Sequence, residues 1–120
     1  MKSQSVDKKE SFYIAVILYE SSSDALNYQP LYQECFVLIK ATSLEKAKEK
    51  AVTYGKKQEV SYKNEEGETI TWSLKQVIDV NSVLYDDFDS ASNGLDLYAR
   101  HFRNYEAYHS FEPFLSQEEL

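Results

Sequence analysis

Residues 35–57 read CFVLIKATSLEKAKEKAVTYGKK, an apolar run followed directly by a helical pattern. The run CFVLI predicts a buried strand, and the apolar residues after it recur at the spacing of one helix face. Thr42 and Glu45 stand three apart, which is the spacing of a capping box at a helix N-terminus. A buried strand is therefore predicted to turn straight into a capped helix. The turn holds no glycine that would let a phosphate approach the backbone, and no acid, base or nucleophile aimed at a substrate.

The helix is predicted to bury a narrow stripe of side chains. Leu44, Ala47, Ala51 and Tyr54 fall on one side, while lysines and glutamates occupy the rest of the surface. Gly55 can adopt the left-handed conformation that often ends a helix, so the pattern predicts an end near Tyr54. On this interpretation Leu44 is a core residue, and Leu44→Ala would cost about 2–5 kcal/mol of stability.

Strands are predicted on both sides of this helix in the chain. Residues 12–19 are apolar at both alternating sets of positions, which predicts a strand covered on both faces. A second strand is predicted at residues 32–41 and a third at residues 60–63. Gly67 ends the hairpin turn that follows the third strand, because glycine tolerates a positive φ.

The remaining strands complete the predicted sheet. The fourth returns from Glu68 and alternates apolar with polar residues, which is typical of a sheet with one wet face. The alternation slips at Gln76, which predicts a bulge. A fifth strand is predicted at residues 95–102. The order ββαβββ indicates an α+β fold of two layers, a mainly antiparallel sheet of about five strands with one main helix on one face.

Three segments are predicted: a flexible N-terminus at 1–11, a single α+β domain at 12–103 and an aromatic C-terminal tail at 104–120. The tail is too apolar to be free in water, and its aromatic residues recur every third residue: Tyr105, Tyr108, Phe111 and Phe114. Two alternatives remain open. The tail packs on the sheet face opposite the helix, or it packs on a partner.

The chain is acidic, with 20 Asp and Glu against 13 Lys and Arg and a formal net charge of −7. That charge repels phosphate backbones and anionic lipids, so we expect no nucleic-acid and no membrane partner. The N-terminal residues lack an apolar core of secretory length, which predicts a soluble cytoplasmic protein. The single cysteine, Cys35, lies among apolar residues and is predicted to be a small buried hydrophobe.

Few residues suggest catalysis or metal binding. The histidines are His101 and His109, and Asp96 would point away from His101 on a strand, so no base and orienting group converge. The acidic residues at 86–89 lack the spacing of a calcium loop, and two histidines with one buried cysteine cannot build a zinc site. We therefore favour a non-catalytic protein and expect no metal and no cofactor.

Several short strings carry a family resemblance. They are FYIAVILYE at 12–20, ATSLEKA at 41–47, SYKN at 61–64, Trp72, and YAR at 98–100. Over roughly residues 12–103, this ordered set resembles the small bacterial family known as domain of unknown function DUF4288. The resemblance implies a bacterial intracellular source and an α+β fold. It implies no activity, cofactor or catalytic residue.

Two functions of different classes fit these observations. The first is a non-catalytic module that binds another protein, or itself as a homodimer, through the aromatic tail and an exposed sheet edge. The alternative is a small-metabolite-binding domain or an enzyme, with a pocket between tail and sheet. The residues predicted to line that pocket are Trp72, Tyr98, Arg100 and His101.

Overall fold

The computed structural model describes residues 9–84, 93–112 and 114–115. Its strands and helices, in chain order, are β1 (Ser11–Ser23), β2 (Tyr32–Ala41), α1 (Leu44–Lys57), β3 (Val60–Lys63), β4 (Thr69–Ser82) and α2 (Tyr105–Phe111). The four strands form one antiparallel sheet in the order β2-β1-β4-β3, and α1 packs against β1, β2 and β4. The predicted α+β class and the bounds of β2 and β3 are confirmed.

The predicted fifth strand is wrong. Residues 95–102 form no strand, and the backbone hydrogen bond that ties them to the end of β4 joins Leu84 N–H to Leu97 O at 3.1 Å. The described elements therefore run ββαββα rather than ββαβββ. An alternating apolar pattern fits a segment that lies over a sheet face as well as one that pairs with a sheet edge, so sequence alone does not separate the two.

The core lies between α1 and the sheet. β1 contributes every second residue to this face, and the buried residues are Tyr13, Ala15, Ile17, Tyr19, Ile39, Ala41, Ala47, Ala51 and Val80. On the opposite face of β1, Val16 has no exposed surface and Ile14 is 6% exposed. The prediction that both faces of the first strand are covered is confirmed for its central residues.

Helix α1 begins one residue later than the capping box predicted. Its N-cap is Ser43, whose hydroxyl accepts a hydrogen bond from Lys46 N–H at 3.1 Å. Thr42 is therefore not the cap, and Glu45 does not close a box with it. Serine and threonine both suit an N-cap, so residue type alone does not distinguish Ser43 from Thr42. The end of β2 sets the residue at which the helix begins.

Helix α1 ends at Lys57, and Gly55 lies inside it rather than stopping it. A Cβ on Gly55 would lie 3.0 Å from Leu74 Cδ1 and 3.5 Å from Ile17 Cγ2, so glycine here permits a close approach of helix to sheet. The buried stripe is thus Ala47, Ala51 and Gly55. Leu44 is 40% exposed, and Leu44→Ala should cost less than a core truncation.

Strand β4 contains the predicted irregularity. Its pairing with β1 shifts register between Val16 and Ile17 and again between Leu18 and Tyr19. The two extra residues on β4 are Ile78 and Lys75, which flank the predicted bulge at Gln76. Because of these bulges, four apolar residues of β4 share the helix face despite their uneven spacing: Trp72, Leu74, Val77 and Val80.

Candidate functional site

The chain after β4 lies against the sheet face that α1 does not cover. Tyr98 donates a hydrogen bond from its hydroxyl to the Asp79 carboxylate, and Arg100 Nε lies 3.9 Å from Asp79 Oδ2. Asp79 pairs in register with Val16, so its side chain is on the face of Val16, opposite α1. These contacts anchor the segment before α2 to the sheet.

Burial raises the pKa of the Tyr98 phenol, and the hydrogen bond and charge of Asp79 raise it further. The phenol therefore stays protonated at neutral pH and remains a donor to Asp79. The ion pair with Arg100 is half exposed, so it adds orientation more than stability. The hydrogen bond from Tyr98 to Asp79 is therefore the main contact that holds this segment on the sheet.

Helix α2 follows directly and is held by local contacts. Its N-cap is Asn104, whose side-chain oxygen accepts a hydrogen bond from Ala107 N–H at 3.0 Å. The Phe102 and Tyr108 rings stack with centroids 4.7 Å apart. Within the described residues, no Cα of α2 lies within 8 Å of a Cα of any strand or of α1. The helix therefore projects away from the sheet rather than lying on it.

The aromatic side chains of this region are exposed as a group. We call Phe102, Tyr105, Tyr108, Phe111, Phe114 and Leu115 the aromatic segment. The four residues predicted for interaction belong to it, with exposed fractions of 55% for Tyr105, 39% for Tyr108, 69% for Phe111 and 70% for Phe114. Contiguous apolar exposure of this kind is typical of an interaction surface.

A second exposed apolar surface lies on β2, which forms one edge of the sheet. Phe36 and Leu38 point to the face opposite α1, because they pair with Val16 and Ile14. Phe36 is 66% exposed and Leu38 is 47% exposed. We call this pair the β2 patch. The strand that carries this patch, β2, has ten residues and pairs on one side only, with β1, in the described part of the chain.

The four residues predicted to line a pocket do not converge. Trp72 packs against the core on the α1 face, whereas Tyr98 and Arg100 meet Asp79 on the opposite face. His101 is exposed. The sheet therefore separates Trp72 from the other residues, and a pocket between tail and sheet built from all four is not present among the described residues.

Trp72 instead lines a cavity on the α1 face. The cavity has a volume of about 330 Å³ and lies between the end of α1 and the sheet. Its lining residues are Tyr19, Gln33, Cys35, Val37, Tyr54, Gln58, Val60 and Trp72. Cys35 is partly rather than fully buried here. The sequence pattern identified Tyr19 and Val37 as strand residues and Tyr54 as a helix residue, but the space between them depends on how α1 crosses the sheet.

Metal-binding clusters and membrane-spanning helices are both absent from residues 9–84, 93–112 and 114–115. No three His, Cys, Asp or Glu side chains within them group in a way that could hold a metal ion. No helix in the same ranges has the length and apolar content needed to cross a membrane. The acidic residues predicted not to bind calcium, at 86–89, lie outside the described residues.

A family model with the description domain of unknown function (DUF4288) matches residues 12–99. The match covers the whole sheet, α1 and the Tyr98 anchor, and it ends before α2. No curated protein and no solved structure matches the chain. The aromatic segment therefore lies outside the part of the chain that the family model describes.

Proposed function

The chain belongs to the DUF4288 family, and on that premise we propose that it is a non-catalytic, self-associating module of the bacterial cytoplasm. The observation that carries the proposal is a pair of apolar surfaces that stay exposed in the part of the chain that the structure describes. The aromatic segment projects from the sheet, and the β2 patch remains exposed on the sheet itself. A second copy of the chain offers both surfaces again, so each surface can find the other on its partner.

A two-fold dimer would use each surface twice, because an isologous interface repeats every contact. The exposed parts of the four tail rings amount to about 470 Å² per chain, taking about 200 Å² for a whole aromatic side chain. Stable interfaces bury about 800 Å² per partner. Seating one aromatic segment on the neighbour's β2 patch, and the reverse, would therefore approach the area of a stable dimer.

Sedimentation velocity over a concentration series tests this proposal on the full chain. We expect a dimer whose fraction rises with concentration. Phe111→Ser removes a ring from the aromatic segment and Phe36→Ser removes one from the β2 patch, so each should shift the chain to monomer. Leu26→Ser is the matched control, because Leu26 is 92% exposed but lies in the β1–β2 connection.

Two results would contradict the proposal. The first is a wild-type chain that stays monomeric at every concentration. The second is a loss of association in Leu26→Ser equal to that in Phe111→Ser, since that would indicate nonspecific apolar adhesion. Circular dichroism on each variant shows whether the sheet is retained.

Salt dependence separates self-association from binding to a partner of opposite charge. Two copies each carry −7, so their repulsion opposes association at long range. Salt screens charges beyond a Debye length of about 8 Å at physiological ionic strength, so higher salt should strengthen the dimer. A complex with a basic protein would weaken instead. Weakening with added salt would therefore count against a homodimer.

A further inference from the structure

The cavity on the α1 face has the composition of a small-molecule site. Its volume of about 330 Å³ is near the lower end of the range of about 300–1,000 Å³ found for ligand pockets. Gln33 of β2 and Gln58 after α1 line it and are exposed, so the cavity opens to solvent at that side.

Tyr19 lines this cavity and carries a polar group that has no partner among the described residues. The residue is 5% exposed, and its hydroxyl is buried without a hydrogen-bond partner in the described part of the chain. Buried hydroxyls are nearly always hydrogen-bonded, so an orphaned one indicates that something else accepts its proton. Burial raises the pKa of this phenol, with Cys35, Tyr54 and Glu59 contributing further, so the hydroxyl is a donor at neutral pH.

The remaining lining limits the chemistry of the occupant. Trp72 from the sheet and Tyr54 from α1 contribute aromatic side chains to the lining, which favours a flat aromatic molecule. None of the lining residues is Asp, Glu, Lys, Arg or His. Glu59, whose carboxylate accepts a hydrogen bond from Leu74 N–H at 2.9 Å, contributes a negative charge that acts on Tyr19. A negative potential at the site disfavours anions.

We infer that this cavity binds an uncharged, planar heteroaromatic molecule whose carbonyl oxygen or ring nitrogen accepts a hydrogen bond from Tyr19. The ring of the ligand contacts Trp72 and Tyr54, and the amides of Gln33 and Gln58 offer both donors and acceptors at the opening. This site shares no residue with the aromatic segment or the β2 patch.

Cys35 gives a direct readout, because it is the single cysteine of the chain and lines the cavity. Nicotinamide is the probe, and nicotinate is its matched anionic control of the same shape. For so small a molecule we expect a Kd on the order of 1 mM, so about 10 mM nicotinamide should slow N-ethylmaleimide labelling of Cys35 about tenfold. Nicotinate should leave the labelling rate unchanged. Intact-mass spectrometry measures the rate.

Tyr19→Phe tests the hydroxyl, and Tyr13→Phe is its control. Both residues are buried tyrosines of β1 on the α1 face, but only Tyr19 lines the cavity. Nicotinamide protection should fall several-fold in Tyr19→Phe and persist in Tyr13→Phe. Because the Tyr19 hydroxyl has no partner to lose, Tyr19→Phe should melt at the same temperature as wild type or higher. A lower melting temperature would indicate a structural role for the hydroxyl and overturn the inference.

Other outcomes would also overturn the inference. No protection by nicotinamide rejects the site, and equal protection by nicotinate rejects an uncharged ligand. Protection of Cys35 that rises with protein concentration without any probe would show that a second copy fills the cavity. Phe111→Ser should keep the nicotinamide effect, so failure of the proposed dimer and failure of this site give different results.

Discussion

At the scale of single residues, Ser21 shows how one polar side chain organises a connection. It has no exposed surface, and its hydroxyl accepts from Leu31 N–H at 2.8 Å and donates to Leu31 O at 3.1 Å. The Tyr28 hydroxyl lies 2.7 Å from the hydroxyl oxygen of Ser21. Since the single proton of Ser21 is used by Leu31 O, Tyr28 is the donor to Ser21. The hydroxyl therefore ties the β1–β2 connection to the end of β1.

Ser21→Ala should lower the free energy of unfolding by about 1–3 kcal/mol, because it removes a buried hydroxyl that hydrogen-bonds with Leu31 and Tyr28. Ser22→Ala changes the exposed neighbour and should stay within about 0.5 kcal/mol of wild type. Urea denaturation of both variants measures the difference. Equal destabilisation would show that the contribution comes from the strand and not from the Ser21 hydrogen bonds.

At the scale of elements, α1 shows how packing sets the limits of a helix. Ser43 caps its N-terminus in an extended conformation, and Gln58 closes its C-terminus at φ −85°. The helix continues past Gly55, which packs closely on the sheet: a Cβ there would lie 3.0 Å from Leu74 Cδ1. Intrinsic preference would end the helix at a glycine, but the close contact with the sheet stabilises one more turn.

Ser43→Ala should destabilise the protein by about 1 kcal/mol, since it removes the acceptor for Lys46 N–H. Thr42→Ala changes the adjacent hydroxyl residue, which is not the cap, and should cost less than about 0.5 kcal/mol. Guanidinium denaturation ranks the two variants. If Thr42→Ala were the more destabilising variant, Thr42 would be the N-cap, as the capping-box spacing predicted.

At the scale of the whole molecule, the two faces of the sheet each hold a tyrosine whose pKa is raised above 10.0. Burial is the main cause for both Tyr19 on the α1 face and Tyr98 on the other. The folded state therefore keeps both protons where the unfolded chain begins to lose them. Their contribution to stability is fully present below about pH 10 and is lost as pH rises through the folded pKa.

The wild-type chain should consequently lose stability as the pH rises above about 10, and a Tyr19→Phe, Tyr98→Phe double variant should lose less over the same interval. The quantity to compare is the slope of the free energy of unfolding against pH. Absolute stability is not comparable, because Tyr98→Phe also removes the hydrogen bond to Asp79. Tyr62→Phe, at an exposed position of β3, is the control. An identical slope in the double variant would contradict the assignment.

Much of the sheet could be predicted because its signals are local. The apolar runs located β1 and β2, the short alternation located β3, and Gly67 marked the hairpin turn, where its φ is 78°. The slip in the apolar pattern of β4 indicated its bulges. Each of these features follows from side chains within a few residues of one another, so neighbours in the chain suffice to read them.

The candidate sites could not be read in the same way. The sequence grouped Trp72 with Tyr98 and Arg100 because all three are aromatic or basic. In the structure, the sheet separates Trp72 from the other two. Tyr98 and Arg100 follow β4 outside any strand, so the face they occupy is set by their contacts with Asp79 and not by a local alternation. The cavity at Tyr19 likewise depends on where α1 crosses the sheet.

Local sequence was thus sufficient for the family, the α+β class and the existence of α1. Tertiary packing decided the rest: the fifth strand became a segment anchored over the sheet by Tyr98 and Asp79, and Gly55 became a helix residue. The physical reason is range. Periodicity and turn preference act between residues close in the chain, whereas face, crossing point and burial depend on contacts between distant residues, and those contacts exist only once the chain has folded.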